Sequence, residues 1–464
     1  MNRKKIKFGA SFDKTNGIAL AGYVLVVLLA YGFAGAGEYL FSGLVLILAA
    51  ISEYLFYYKK SGFILQAEAV FSLFWIGGCG LSAMKLSRLA TEWTVTTWLC
   101  FSLVYLCFIG GYEGAAALER KRRGGSPVKS TGAPEVNLNK KSKKKPSDSP
   151  NRELQAKRIL HCIYGILSVS VICFLIEAMF CEVPLFSDKP HAYSYFHISG
   201  VHYFTVSSIF ALPLSVLYIY TKGRTEKRDY IRLGSCCLIG LMIPVLCVSR
   251  FQLMLAVLLS VCVAVSAWPG IRFRYVILAV ASLVPIYVIL TVARNHDVAY
   301  LNGIFEMKNS STPIFITQPY MYVANNFDNF NCLVKELPSH AWGLRQLFPL
   351  FALTGLKFLK PELVSFPIYI TKTELTTVTL IYDAYYDFGI LGVALFGLLL
   401  GAVCFLVLRE QGEKKNPLRF LFYAQLAMYL VFSFFTTWFS NPTTWFWFGL
   451  TGICYWYVGR KSHA

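Results

Sequence analysis

The chain has 464 residues, of which 56% are apolar and only 15% charged; a soluble domain carries roughly 25% charged residues. The apolar residues come in long runs and the mean hydropathy is +0.52, which excludes a water-soluble enzyme and places the chain in a bilayer. Its 44 Lys and Arg against 25 Asp and Glu leave a net charge of +19, and in a membrane protein the position of that charge reports topology first, so no nucleic-acid partner is expected.

A span needs about 20 mainly apolar residues. Twelve are expected, at 17–36, 38–58, 63–84, 93–112, 159–181, 201–221, 233–248, 251–268, 275–293, 387–408, 420–438 and 443–459. The third contains Gln66 and Glu68 and is the least regular. Ala34-Gly35-Ala36 resembles a signal-peptidase site, but a second apolar run follows at once, so an uncleaved first span is expected. The fold class is therefore all-α, a polytopic membrane protein with one large extracytoplasmic loop. With both termini inside, 33 Lys and Arg fall in inner segments and 11 in outer ones, the bias of the positive-inside rule.

Residues 1–112 form a four-span front part, and residues 159–464 an eight-span rear part with an outer loop at 294–386. Between them, 113–158 is rich in Lys, Arg, Ser, Pro and Gly. It cannot bury a core and reads as a disordered cytoplasmic linker, with a secondary attraction to anionic membrane lipids. The 13 cysteines lie mostly inside apolar runs, where cysteine packs as a small hydrophobe. Cys181 and Cys332 alone read as outward-facing, and no CxxC pair is present.

Chemistry is expected on the outer side. The 294–386 loop is aromatic rather than disordered in composition, and Gln346–Phe358 is an apolar piece too short to span, read as an interfacial helix. Aromatic faces pack on sugar C–H surfaces and tolerate a wet interface. Arg250, in Val248-Ser249-Arg250-Phe251-Gln252, sits between two short spans; an arginine at that depth is a functional candidate because an unpaired charge there costs several kcal/mol, the alternative being a snorkelling turn residue. Arg294 and, more weakly, Arg345 are further candidates for a phosphate or pyrophosphate clamp, which the guanidinium fork fits bidentately. His340 is a candidate base. His191, His197 and His202 match no metal spacing, and neither metal nor cofactor is expected. Asp383 and Asp387, four apart at the start of the tenth span, share a helix face; the helix dipole already favours acids there, and the functional alternative is a carboxylate that orients an acceptor hydroxyl or pairs with an arginine.

In order along the chain, Phe63–Leu86 with its central Trp75, the Ser249-Arg250 turn, Tyr320-Met321-Tyr322, Gly343-Leu344-Arg345-Gln346-Leu347-Phe348-Pro349 and the closing Tyr386-Asp387-Phe388-Gly389 resemble the Wzy-type O-antigen polymerases, or oligosaccharide repeat unit polymerases, of bacterial envelopes. The resemblance covers most of the chain. It implies an enzyme of the bacterial inner membrane that joins oligosaccharide units carried on undecaprenyl pyrophosphate at the outer face. No nucleotide sugar is used, and a flippase and a chain-length regulator are possible partners. On that reading Arg250 and Arg294 stabilise the pyrophosphate leaving group. His340 or Asp387 activates the acceptor, and Arg345, Tyr320, Tyr322, Asp383 and Tyr386 bind substrate. An O-antigen ligase-like transferase and a lipid-linked oligosaccharide flippase are the rival expectations; few acids within spans (Glu53, Glu68, Glu177) weigh against transport.

Overall fold

The computed structural model describes residues 14–122, 150–187, 189, 192–268, 271, 278, 281, 298–410 and 416–460. The regular secondary structure among the described residues is helical, with one isolated antiparallel bridge between Ser87 and Met307. The helices are α1 (Lys14–Gly35), α2 (Tyr39–Ser61), α3 (Ala67–Ala83), α4 (Val95–Arg122), α5 (Pro150–Phe180), α6 (His202–Lys222), α7 (Lys227–Leu246), α8 (Arg250–Ala267), α9 (Val298–Phe305), α10 (Ile314–Glu336), α11 (Phe348–Leu353), α12 (Leu356–Leu359), α13 (Tyr382–Glu410), α14 (Arg419–Val431) and α15 (Pro442–Gly459). Eight described helices (α1, α2, α4 to α8 and α13) are long and apolar enough to cross a membrane, the architecture of a multi-pass membrane protein. Twelve were expected. All of the span expected at 275–293 except residues 278 and 281, and most of the linker (123–149), lie outside the described residues. The span expected at 420–438 shortens to α14, because beyond Val431 the chain leaves the helix to make other bonds: the Ser433 carbonyl accepts from the Leu380 amide at 2.9 Å, and the Phe434 carbonyl from Asn326 Nδ2 at 2.7 Å.

Contacts group the chain into two compact units that interleave along the sequence. The first holds the front helices together with 297–409 and 429–445; the second holds 133–296, 410–428 and 446–464.

In the first unit, α3 is the buried centre. Trp75 is fully buried, donates its indole N–H to the Phe101 carbonyl at 2.9 Å and packs against Phe71, Phe101 and Phe327. A π-helical turn at Ser72–Ile76 interrupts α3. Enclosure within protein explains how a helix flanked by Gln66 and containing Glu68 persists: Gln66 Nε2 donates to Glu68 and, at 2.9 Å, to the Tyr112 hydroxyl, so neither polar group meets lipid. At the far end of α2, Lys60 bonds Glu113 at 3.2 Å and Asn16 at 2.9 Å, and Gly62 closes the helix in the left-handed conformation (φ 71°) with its N–H on the Tyr58 carbonyl.

Helices α4 and α13 pack side by side in parallel. Val104 and Phe108 face Gly397 and Gly401, Tyr112 faces Phe405, and Glu119 pairs with Arg409 at 2.7 Å. A Cβ on Gly401 would collide with the Phe108 carbonyl oxygen; the Gly397-x-x-x-Gly401 spacing lets the backbones approach. Gly401→Val is expected to lower the Tm of the detergent-solubilised protein by several degrees, with Gly449→Val, whose Cβ meets nothing within 4 Å, as the neutral comparison. Equal Tm values would deny that α4 and α13 depend on this contact. Since the helices run parallel, the turn before α4 and the start of α13 lie at the same end of the unit.

The second unit packs α5, α6, α7 and α8 around Phe174, Phe196, Ile243 and Cys247, among others. Its α6–α7 turn is locked by Asp229, which accepts from Tyr218 at 3.1 Å and from Lys222 at 2.5 Å and closes a capping box with Glu226. All 13 cysteines are free.

Candidate functional site

The stretch expected as a large outer loop is mostly organised structure. It contains the 23-residue α10, and the expected interfacial helix at Gln346–Phe358 is two short helices broken at Gly355 (φ 77°).

The most developed polar site forms where α13 begins. Phe388 (φ −139°) and Gly389 (φ 59°, ψ −143°) break the helix, which cuts off 382–387 as a separate turn and frees its last carbonyls. The Tyr386 and Asp387 carbonyls accept from the Ala341 and Trp342 amides at 3.1 and 3.2 Å, and the Tyr386 carbonyl also lies 3.2 Å from His340 Nδ1. Gly389 is required twice over: its φ is left-handed, and a Cβ would come within 3.1 Å of the His340 ring.

Asp383 and Asp387 share a face of this turn, as their spacing predicts, and both reach the 343–347 segment in different roles. Asp387 is fully buried; one oxygen accepts the Arg345 amide at 3.1 Å and the other the Gln346 amide at 2.9 Å. Asp383 takes the Arg345 side chain, with Nε and Nη2 at 2.7 and 2.6 Å from Oδ1. The guanidinium lies 5.0 Å over the Tyr386 ring, a cation–π contact. Arg345 and Asp383 line a cavity of about 340 Å³ together with Phe348, Phe366, Ser440 and Asn441, within the size range of ligand sites.

This arrangement redistributes the expected roles. Arg345 was the weakest of the three arginine candidates, yet it is the cation at the cavity. Asp387 was one of two candidate bases, with His340; both its oxygens accept backbone amides, which ties it to the segment that carries Arg345. Asp387→Ala would leave two amides unpaired, costing about 1–3 kcal/mol each, and limited proteolysis should then cut the 338–355 segment faster than in wild type; an unchanged cleavage rate would refute that tie. His340 packs beside the helix break against Trp342 and Tyr385 and is not among the residues lining the cavity. Tyr386 is the buried platform under Arg345. Tyr320 and Tyr322 are placed elsewhere: the Tyr320 hydroxyl accepts the Leu86 amide at 2.9 Å, and Tyr322 meets Gln318 and Phe435.

Arg250 belongs to the second unit, buried at the start of α8 after Val248, which holds a left-handed φ of 50°. Its neighbour Gln252 donates to the Tyr193 hydroxyl at 2.8 Å; that hydroxyl lies 3.1 Å from His202 Nε2, and His202 Nδ1 is 3.0 Å from Glu177. His202 is thus tied into a Glu–His–Tyr chain, and Glu177, an acid inside a span, is hydrogen-bonded by His202 and the Ile198 amide. Arg294 and His191 lie outside the described residues. Among the described residues, no group of three or more His, Cys, Asp or Glu side chains is placed to hold a metal ion.

Sequence reasoning missed the amide ladder of α10. Asn329 Nδ2 donates to the Leu375 and Thr377 carbonyls at 2.7 and 2.8 Å, its Oδ1 accepts the Thr371 amide at 2.8 Å, Asn325 accepts from Thr371, and Asn331 bonds Thr91, Glu92 and Thr94. The signal was available as Asn325-Asn326-Phe327-Asp328-Asn329-Phe330-Asn331, four amides that must find partners once buried. Compared with known proteins, the chain matches no family model, no curated protein and no solved structure.

Proposed function

We infer that the protein is a membrane glycosyltransferase that joins lipid-linked oligosaccharide units into a longer surface glycan, acting at the outer face of a bacterial inner membrane. The observation that carries the reading is the Arg345–Asp383 pair on the wall of a cavity at the start of a membrane-crossing helix. A guanidinium beside a carboxylate supplies both charges that such a transfer requires. The bond from the donor anomeric carbon to the pyrophosphate oxygen breaks, and Arg345 stabilises the charge that develops on that oxygen. The acceptor hydroxyl oxygen bonds to the anomeric carbon, and its proton passes to Asp383. Phe348 and Phe366 offer ring faces to the sugars. The order of Tyr386-Asp387-Phe388-Gly389 and Gly343-Leu344-Arg345 along the chain, which carries the resemblance to repeat-unit polymerases, is also what builds this site.

The test is a gel of envelope glycans from cells lacking the protein, beside cells complemented with wild type. A polymer ladder that collapses to single repeat units, restored by wild type, supports a polymerase. Long lipid-linked polymer accumulating in the deletion strain would instead indicate a ligase, and an unchanged ladder would overturn the reading.

A further inference from the structure

A second polar cavity, of about 430 Å³, lies in the same unit at the ends of the first four helices, lined by Tyr31, Tyr39, Lys85, Glu92, Trp93 and Trp98 among others. It is built with care. Lys85 follows α3 in a left-handed conformation (φ 48°) that a non-glycine residue rarely adopts. Its ammonium is buried, 3.3 Å from Asp328, bonded to the Thr91 carbonyl and 4.9 Å over the Trp93 ring. Asp328 also accepts from the Trp93 indole at 2.9 Å. Trp93 stands edge-on to Trp98 at 5.0 Å, and Tyr31 edge-on to Trp98 at 5.9 Å. The Tyr39 hydroxyl donates to the exposed Glu92 carboxylate at 2.8 Å. The turn carrying these residues is pinned from outside: the Arg88 amide bonds the Glu306 carbonyl at 2.8 Å, and the Lys308 amide the Leu86 carbonyl at 2.9 Å.

An interfacial aromatic belt would turn its rings to lipid. Here Trp93 and Trp98 are each only 8% exposed, and they line a cavity that also presents the exposed Glu92 carboxylate. The Tyr31, Tyr39 and Trp98 rings for C–H surfaces and the Glu92 carboxylate that accepts from hydroxyls form a set suited to a saccharide, while Lys85 is held by Asp328 and the Thr91 carbonyl behind them. Because α4 and α13 run parallel, the turn before α4 and the Arg345 cavity share one end of the unit, so a glycan chain reaching one is on the same side as the other.

We propose that this cavity is a separate glycan subsite, which holds sugar units of the acceptor or growing chain away from the Arg345–Asp383 centre. For the identity of its ligand the proposal rests on the glycan-joining reading. The test titrates detergent-solubilised full-length protein with the oligosaccharide released by mild acid from the cells' polyprenyl-linked pool, following tryptophan fluorescence. Wild type should show a saturable change, and Tyr31→Ala/Glu92→Gln, which keeps every tryptophan, should bind about tenfold more weakly. In cells the same variant should give a ladder shifted to shorter chains. No saturable change, or equal affinity in the variant, overturns the subsite. That result leaves the function itself standing so long as the deletion still collapses the ladder; an intact ladder in the deletion strain beside saturable, variant-sensitive binding would sink the polymerase reading and keep the subsite.

Discussion

Arg345→Ala is expected to abolish long glycan chains, with transfer falling by about 10²–10³-fold, the scale on which one well-placed transition-state donor acts. The variant also strands Asp383, whose side chain is only 6% exposed, so loss of chains alone would not separate chemistry from folding. Arg345→Lys makes that separation. It keeps a cation beside Asp383 and so preserves the fold, but an ammonium cannot offer Nε and Nη2 to one carboxylate and also lie flat over Tyr386. Chains from Arg345→Lys should therefore stay short while its membrane abundance on an immunoblot matches wild type. A full-length ladder from Arg345→Lys would remove the guanidinium from the mechanism.

Asp328→Ala is the substitution with the largest expected effect on stability. Burial lowers the pKa of Lys85, as the nearby Lys308 and Lys335 also do, with Asp328 opposing, and raises that of Asp328, with Lys85 and the Trp93 indole opposing; each charge is tolerated because the other is present. Removing the carboxylate leaves a buried ammonium without its counter-charge and the Trp93 indole without its acceptor, which costs about 3–5 kcal/mol. Lys85→Met/Asp328→Leu removes both charges and should regain most of the loss, because an apolar pair carries no desolvation penalty. Thermal unfolding of the solubilised protein checks this. A Tm for Asp328→Ala equal to wild type, or a double variant no better than the single, would show that the pair does not hold the 85–94 turn to α10.

The membrane class and most spans were legible because hydropathy acts locally: about 20 apolar residues must be helical in lipid, whatever they pack against. The Asp383–Asp387 face was legible for the same reason, since a spacing of four is a property of one helix. What each acid does was not. The break at Phe388–Gly389 turns the 382–387 face toward 343–347, and only that encounter gives Asp387 two backbone amides and Asp383 a guanidinium.

Arg345 was undervalued by sequence because its ion-pair partner lies 38 residues away and nothing local marks the contact. Helix α10 was missed because its segment was read as part of the outer loop 294–386; its asparagines find partners on distant segments and become core. The sequence by itself determined what enters the membrane and which residues share a helix face, because those depend on neighbours along one segment. The tertiary structure alone decided which arginine meets a carboxylate, which acid is tied up as a brace and where aromatic walls enclose a cavity, because buried charge and amide groups are settled by whichever segments fold against them.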